Sequence, residues 1–409
     1  MSHPLENSAP LRRANGQTVM SLIIRDGPVT RVELARGSGL SKQTVSEIVR
    51  QLEQGGWIRQ TGRVLGRVGR SPVTYELNPR AGFVAGVDLG GTRLRVAVGD
   101  LGGALLGETV VPTDRRGGRD VVRQIVAAVR QLAAAEGIGW ESVRCVAVGT
   151  PGVLDPATGV LNLAGNVPSF GELHVRDELE RELAVPVLLD NDVNMAVLGE
   201  HWQGLGRDAS DFVFVAVGTG VGMGLVVDGK IRRGAHGAAG EICYLPFGAD
   251  PYDRANQVRG PFEEAAAGDA IVRRHVEAGG EPLDVPAIFA AAGAGDERAR
   301  DVIDGECRLV AQAVVAVASV LDPQLVVLGG GIGAREEMLP PVRRWLARLM
   351  RDPVEVRTSV LGHRASLVGA LAVALHTAHQ ALFGAASVPA QLSLPVPPDP
   401  GATSPDPWR

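Results

Sequence analysis

Phe83-Val84-Ala85-Gly86-Val87-Asp88-Leu89-Gly90-Gly91-Thr92-Arg93-Leu94-Arg95-Val96-Ala97-Val98 (residues 83–98) is the stretch from which the rest of the chain reads. Phe83 to Leu89 is an unbroken run suited to a buried strand, and it ends beside an aspartate. Gly90-Gly91-Thr92 turns it into a returning strand, Leu94 to Val98. A strand, a glycine hairpin and a returning strand wrap a phosphate with backbone N–H groups, and Asp88 at the strand end can hold Mg²⁺ through water.

The pattern recurs downstream. Phe212 to Val217 reads as a strand, followed by Gly218-Thr219-Gly220-Val221-Gly222-Met223-Gly224. A dinucleotide-binding glycine loop opens a helix, whereas this one runs into another hairpin, Leu225 to Lys230, so that reading fits poorly. A third cluster, Gly329-Gly330-Gly331, follows the strand Leu325 to Leu328 and precedes a helix expected from about Arg335. Together the three loops describe an α/β body of two similar lobes closing on a nucleotide. Between them, Asp190-Asn191-Asp192-Val193-Asn194 follows a strand expected over Val185 to Leu189 and opens a helix. Asp192 there suits a general base taking a proton from a substrate hydroxyl, or serves as the helix cap.

Upstream the pattern is different. Val19, Leu22 and Ile23 fall at helical spacing between Leu11 and Ile24, and Gly27-Pro28 ends that helix. Thr30 with Glu33 is a capping-box signature for a short helix, Arg31 to Arg36. Gly37-Ser38-Gly39-Leu40 makes a tight turn, and Ser41 caps a third helix with Val45, Ile48, Val49 and Leu52 on one face. This is a helix-turn-helix, whose second helix offers its polar first turn to a DNA major groove. Ser41, Lys42, Gln43, Thr44, Ser46 and Arg50 are the candidate contacts, with Gln43 suited to adenine. Trp57-Ile58 and Val73 to Leu77 read as two strands around a loop carrying Arg63, Arg67 and Arg70 without an acid, a wing able to enter a narrow minor groove.

Charge agrees with this division. Residues 1–80 hold twelve Arg/Lys against six Asp/Glu, net +6, and the remainder holds 29 against 40, net −11. A basic head on an acidic body suits a DNA-binding sensor. Aromatics are only 4%, too few for base stacking to dominate. Cys145, Cys243 and Cys307 are widely spaced in apolar settings and read as reduced core thiols. Neither a secretory leader in Met1 to Gly16 nor a bilayer-length apolar run is evident, so a cytoplasmic chain without membrane contact is expected.

The motifs in this order resemble the ROK family (repressors, open reading frames and kinases) across residues 11–383. Asp88 to Arg95 looks like its first phosphate motif, and Gly149-Thr150-Pro151-Gly152, Asn191-Asp192, Gly218 to Gly224 and Gly237-Ala238-Ala239-Gly240-Glu241-Ile242 match in order. The resemblance implies an actin-like, two-lobed sugar-kinase fold behind an N-terminal winged helix-turn-helix. The expected organisation is a flexible segment 1–10, a head 11–79, a ROK domain 81–383 and a disordered tail 384–409. Within the ROK domain the first lobe would be about 81–191 plus 364–383 and the second about 192–363.

It also implies Asp192 at the catalytic-base position, with Gly152, Asn166, Asn191, Glu241, Tyr244 and Glu263 in the sugar site. Asp88, Gly90, Gly91, Thr92, Arg95, Gly218, Thr219, Gly220, Gly329, Gly330 and Gly331 would form the nucleotide or phosphate site, either working or vestigial. The family continues Gly-Glu-Ile-Gly-His into a zinc-binding cysteine cluster. Here the sequence is Gly240-Glu241-Ile242-Cys243-Tyr244, and Gly248 to Glu264 contains no cysteine. No structural zinc is therefore expected, and no cofactor is required. Tyr244 either donates to a sugar hydroxyl or packs in the core. The leading expectation is a sugar-responsive repressor, binding a palindromic operator as a homodimer or homotetramer. The competing one is an active ATP- and Mg-dependent sugar kinase with a DNA-binding head.

Overall fold

The computed structural model describes residues 10–63, 72–154, 161–162, 167–170 and 173–384. The chain divides into two compact units, one of residues 1–152, 159–190 and 370–409, the other of 153–158 and 191–369.

The first unit opens with α1 (Pro10–Asp26), β1 (Val29–Thr30), α2 (Arg31–Ser38) and α3 (Lys42–Gln54). Thr30 Oγ1 accepts from Glu33 N at 3.3 Å while Thr30 N donates to the Glu33 carboxylate at 2.8 Å, the reciprocal box its sequence spells. Gly39, at φ 69°, ends α2, and Ser41 Oγ accepts from Thr44 N at 3.1 Å to start α3. Val45, Ile48, Val49 and Leu52 are the buried face of α3, as their spacing requires. β2 (Ile58–Arg63) and β3 (Val73–Leu77) pair antiparallel and complete a three-stranded sheet, β1-β3-β2. Arg67 and Arg70 at the wing tip lie outside the described residues.

The same unit continues with β4 (Phe83–Leu89), β5 (Arg93–Asp100), β6 (Leu105–Pro112), α4 (Gly118–Ala135), β7 (Val143–Thr150), β9 (Leu161–Asn162), α5 (Val175–Leu183) and β10 (Val187–Asn191), while β8 (Val153–Leu154) falls in the second unit. The main sheet runs β10-β7-β4-β5-β6. Every residue of β4 is buried, which is why it reads as a continuous apolar run rather than an alternating one. β5 exceeds the expected Leu94–Val98 because it is paired on both sides, with β4 and with β6. β10 begins at Val187 rather than Val185, since Pro186 has no N–H for the ladder and contributes only its carbonyl, to Val146 N at 3.0 Å.

The second unit contains α6 (Asp192–Gln203), β11 (Phe212–Val217), β12 (Val221–Val227), β13 (Lys230–Ile231), α7 (Pro261–Ala266), α8 (Gly268–Glu277), α9 (Val285–Ala294), α10 (Glu297–Leu321), β14 (Leu325–Gly329), α11 (Gly330–Gly333), α12 (Leu339–Leu349) and β15 (Val356–Thr358). Its sheet runs β13-β12-β11-β14-β15. As β4 and β5 do around Gly90-Gly91-Thr92, β11 and β12 pair antiparallel around a glycine turn, and each hairpin then gains a parallel strand, β7 or β14. The antiparallel partner after Gly218–Gly220 is what separates this loop from a dinucleotide-binding one.

One boundary differs clearly. The helix expected from about Arg335 is replaced by α11, starting at Gly330, and then α12 from Leu339. Gly330 has φ 79°, and a Cβ there would sit 2.4 Å from Val217 O, so the backbone turns at once against β11. The last helix among the described residues, α13 (Ala365–Phe383), brings a second correction. With the preceding turn, Gly362–Phe383 is long and apolar enough to cross a membrane, yet 72% of its apolar window is buried inside the molecule, as in a core helix. Cys145, Cys243 and Cys307 are all free and buried.

Candidate functional site

In the second unit the residues converge on the start of β12. Glu263, on α7, accepts a hydrogen bond from Val221 N at 2.9 Å. Glu241 is fixed nearby by Gly240, whose carbonyl accepts from Met223 N on β12 at 3.0 Å. Gly240 has φ 99°, and a Cβ on it would lie 1.9 Å from Met223 O, so no other residue fits. α6 crosses the same strand, with the Cβ position of Gly222 3.1 Å from Val193. Asn191 and Asp192 immediately precede Val193 at the start of α6.

Asn191 is the true N-cap of α6, its Oδ1 accepting from Val193 N at 2.8 Å and Asn194 N at 3.2 Å. Asp192 is the first helical residue, and its Oδ1 also accepts from Val193 N, at 2.9 Å. The capping role open to Asp192 in the sequence therefore falls to its neighbour.

Burial raises the Glu241 carboxyl above the usual carboxylate range; the Glu263 charge adds to this and the Cys243 thiol, 3.6 Å away, opposes it. Burial also pushes the Cys243 thiol up to about 12, so it is a neutral filler and not a nucleophile. Tyr244 is 44% exposed, which removes the core-packing alternative. Partial burial, with the Glu241 and Glu263 carboxylates adding to it, raises its phenol, keeping it a hydroxyl donor. Two carboxylates and a phenol suit a ligand rich in hydroxyls.

Arg259, which no motif marks, joins this group. It donates to Glu263 Oε1 at 3.0 Å and to Asp269 at 2.7 Å. The glycine loops lie in the same unit, the Cβ position of Gly218 being 3.4 Å from Gly331 N. Gly268 N donates to Gly218 O at 2.9 Å, closing the loop against the start of α8.

The first unit holds Asp88 at the end of β4, directly across the ladder from Arg95. The two form an ion pair at 3.0 Å, largely sheltered from solvent. Arg95 is thereby a partner of Asp88, which makes Asp88 a poorer Mg²⁺ ligand than its position suggests. Thr113 steadies the turn, donating Oγ1 to Gly90 O at 2.7 Å and its N–H to Thr92 O at 3.0 Å. Gly91 and Thr92 remain exposed. Gly152 has φ 98°, and Asn166 lies outside the described residues.

On the head, Lys42 and Gln43 are exposed on the first turn of α3. Ser41 and Thr44 bond each other through their hydroxyls at 2.8 Å, and Ser46 is half-buried. Arg50 is held by Glu47 at 2.7 Å, so it reaches a phosphate only by exchanging that partner. Of the wing arginines, the side chain of Arg63 also lies outside the described residues.

A zinc ion does not fit the donors present. Among the described residues no group of three or more His, Cys, Asp or Glu side chains is placed to hold a metal. Cys243 is instead a hydrogen-bonded neutral thiol, and no cysteine follows it before Cys307.

Known proteins share both parts. A model of the ROK family matches residues 84–377, and one of winged helix-turn-helix DNA-binding domains matches residues 13–59. A glucokinase of Halalkalibacterium halodurans is 30% identical over 70% of this chain and 93% of its own length. The DNA-binding transcriptional dual regulator NagC of Escherichia coli K12 is 26% identical over 89% of this chain and 92% of its own. Among solved structures, a ROK family glucokinase from Streptomyces griseus, in complex with glucose and AMPPNP, superposes with a TM-score of 0.64 at 29% identity, covering 72% of this chain and 99% of its own. A ROK family transcriptional regulator, described as a homologue of the E. coli MLC protein, shares the fold over 91% of this chain and 97% of its own, with a TM-score of 0.71 at 24% identity. The chain belongs to the ROK family and carries a winged helix-turn-helix at its N-terminus.

Proposed function

We propose that the protein is a transcriptional repressor of sugar-metabolism genes, in which the head binds operator DNA and the ROK domain senses a sugar or sugar derivative. The observation that carries this is coverage. The likeness to NagC includes the head and spans 89% of the chain, whereas the likeness to the glucokinase spans 70%. The exposed Lys42 and Gln43 on a correctly capped recognition helix support the DNA contact. Glu241 and Glu263 accept hydroxyl hydrogen bonds from the ligand, Tyr244 donates one, and no metal is needed to assemble them. Two heads on a homodimer or homotetramer engage a two-fold operator. The ligand shifts DNA affinity by the difference in its own affinity for two arrangements of the protein.

The test is a fluorescence titration of the full-length protein onto DNA from immediately upstream of its own gene, against scrambled DNA at the same salt. Specific tight binding supports a regulator, and loss of specificity for every candidate promoter overturns it. A second reading, an active sugar kinase, is favoured by one observation, Asp192 beside β12 with two glycine loops in the same unit. ATP turnover on a sugar panel, abolished in Asp192→Asn, would establish that reading.

A further inference from the structure

Arg259 is held more tightly than any motif accounts for. Its Nε donates to Glu263 Oε1 at 3.0 Å, and Nη1 donates to Asp269 Oδ2 at 2.7 Å, with Glu264 at 3.8 Å. Its Nη2 points to the carbonyl of Thr219 in the β11–β12 turn at 3.5 Å. One guanidinium, 33% exposed, thus gathers three carboxylates and a glycine-loop carbonyl. Its pKa is raised by the hydrogen bond to Asp269, and the Asp269 carboxyl is lowered in return.

The segment before it is organised by its own polar groups. Asp250 accepts from Tyr252 N at 2.9 Å, Asp253 accepts from Ala255 N at 2.9 Å, and Gly260 N donates to Asn256 O at 2.9 Å. These bonds shape the loop but do not tie it to its surroundings. Arg259, at the loop's foot, does so. Both oxygens of Glu263 are then occupied, one by Arg259 and the other by Val221 N. A carboxylate held at both oxygens has one orientation, which a hydroxyl-accepting group needs.

We infer that Arg259 is the positioning residue of the sugar pocket: an ion-pair clasp that orients Glu263 and ties the 248–260 loop to the β11–β12 turn, without a metal ion. The inference rests on the sugar reading for the ligand, but the clasp stands or falls separately. Arg259→Gln removes the charge and leaves three neighbouring carboxylates to repel one another, so Glu263 loses its fixed orientation. Arg259→Lys keeps the charge and loses the fork.

The experiment uses the full-length protein, with Arg259→Gln, Arg259→Lys, Glu263→Gln and the double variant Arg259→Gln/Glu263→Gln. Hydrogen exchange is followed in peptides covering 219–223 and 248–264, and calorimetry measures binding of D-glucose and of N-acetyl-D-glucosamine. In Arg259→Gln, exchange should rise at least tenfold in both segments while the peptides of β4 and β7 stay unchanged. Affinity for whichever sugar the wild type binds should fall at least tenfold, Arg259→Lys should recover part of it, and the double variant should lose no more than Glu263→Gln alone. Unchanged exchange in both segments overturns the clasp, as does additive loss in the double variant or a loop that loosens when EDTA is added to the wild type. If Arg259→Gln unfolds outright, Arg259→Lys decides by the same two segments. A wild type that binds neither sugar, with exchange responding as expected, keeps the clasp and overturns the sugar reading.

Discussion

Glu306 is a fully buried carboxyl on α10, with Arg274 Nη2 2.5 Å from one oxygen and no hydrogen bond to the other. Burial pushes it up to about 7, against the pull of Arg274. Because the folded value lies above the unfolded one, the folded chain binds the extra proton between the two. The associated stability is complete below about pH 4.3 and is lost as pH rises through about 7, on the order of 3 kcal/mol in all. Glu306→Gln should therefore show a flatter fall in stability from pH 5 to pH 7.5 than the wild type, read from urea denaturation at each pH. A parallel pair of curves would mean that Glu306 is ionised throughout. Part of this was legible: Glu306 stands four residues after Val302 and three before Leu309, all buried on α10, so a helical wheel places a carboxyl on the core face. What it lacks is its partner, because Arg274 belongs to another helix. The same limit applies to Arg259, whose carboxylate Glu263 is four residues away but whose Asp269 and Thr219 contacts arise only on folding. Local devices need no such help, and Thr30 with Glu33 reads from sequence to structure unchanged.

Among the elements, α13 carries more than its apolar sequence suggests. Its last residue, Phe383, meets Trp57 of the head edge to face, with ring centroids 5.7 Å apart, and both are almost wholly buried. The Arg144 guanidinium lies 5.8 Å over the same indole. One turn earlier, His379 is bonded through Nε2 to Leu101 O at 2.9 Å, and burial lowers it to about 4, so it stays neutral. The head is therefore packed against α13, the last helix among the described residues. Phe383→Ala should cost about 3–5 kcal/mol, as for other buried aromatics, and move the tryptophan emission to longer wavelength as Trp57 meets water. A variant of unchanged denaturation midpoint and emission would show that the head docks without this contact. The sequence reveals both elements but not their meeting, since residues more than three hundred positions apart carry no shared periodicity. Glycine turns are the opposite case: Gly90-Gly91-Thr92 and Gly218–Gly220 dictate antiparallel returns, and the hairpins follow.

At the scale of the whole molecule, the order of motifs made the α/β body and the winged helix-turn-helix head legible. The regulatory reading makes a demand that reaches across all of these parts. If a sugar changes the affinity for operator DNA by some factor, operator DNA must change the affinity for that sugar by the same factor, because both legs of the cycle share one coupling free energy. A coupling of about 1–3 kcal/mol, typical of such switches, corresponds to roughly 5- to 150-fold on each leg. The expected outcome is equal factors, measured by DNA titration with and without saturating sugar and by calorimetry of sugar with and without operator. Glu241→Ala should abolish the factor on both legs while leaving the sugar-free DNA affinity unaltered, since Glu241 lies in the second unit and α3 in the first. Gln43→Ala should do the reverse, weakening operator binding by roughly 1–3 kcal/mol with the sugar affinity of the DNA-free protein intact. Unequal factors would place the sugar's action on some other component of the mixture, and a Glu241→Ala protein that still responds normally would remove the ligand from the pocket beside β12.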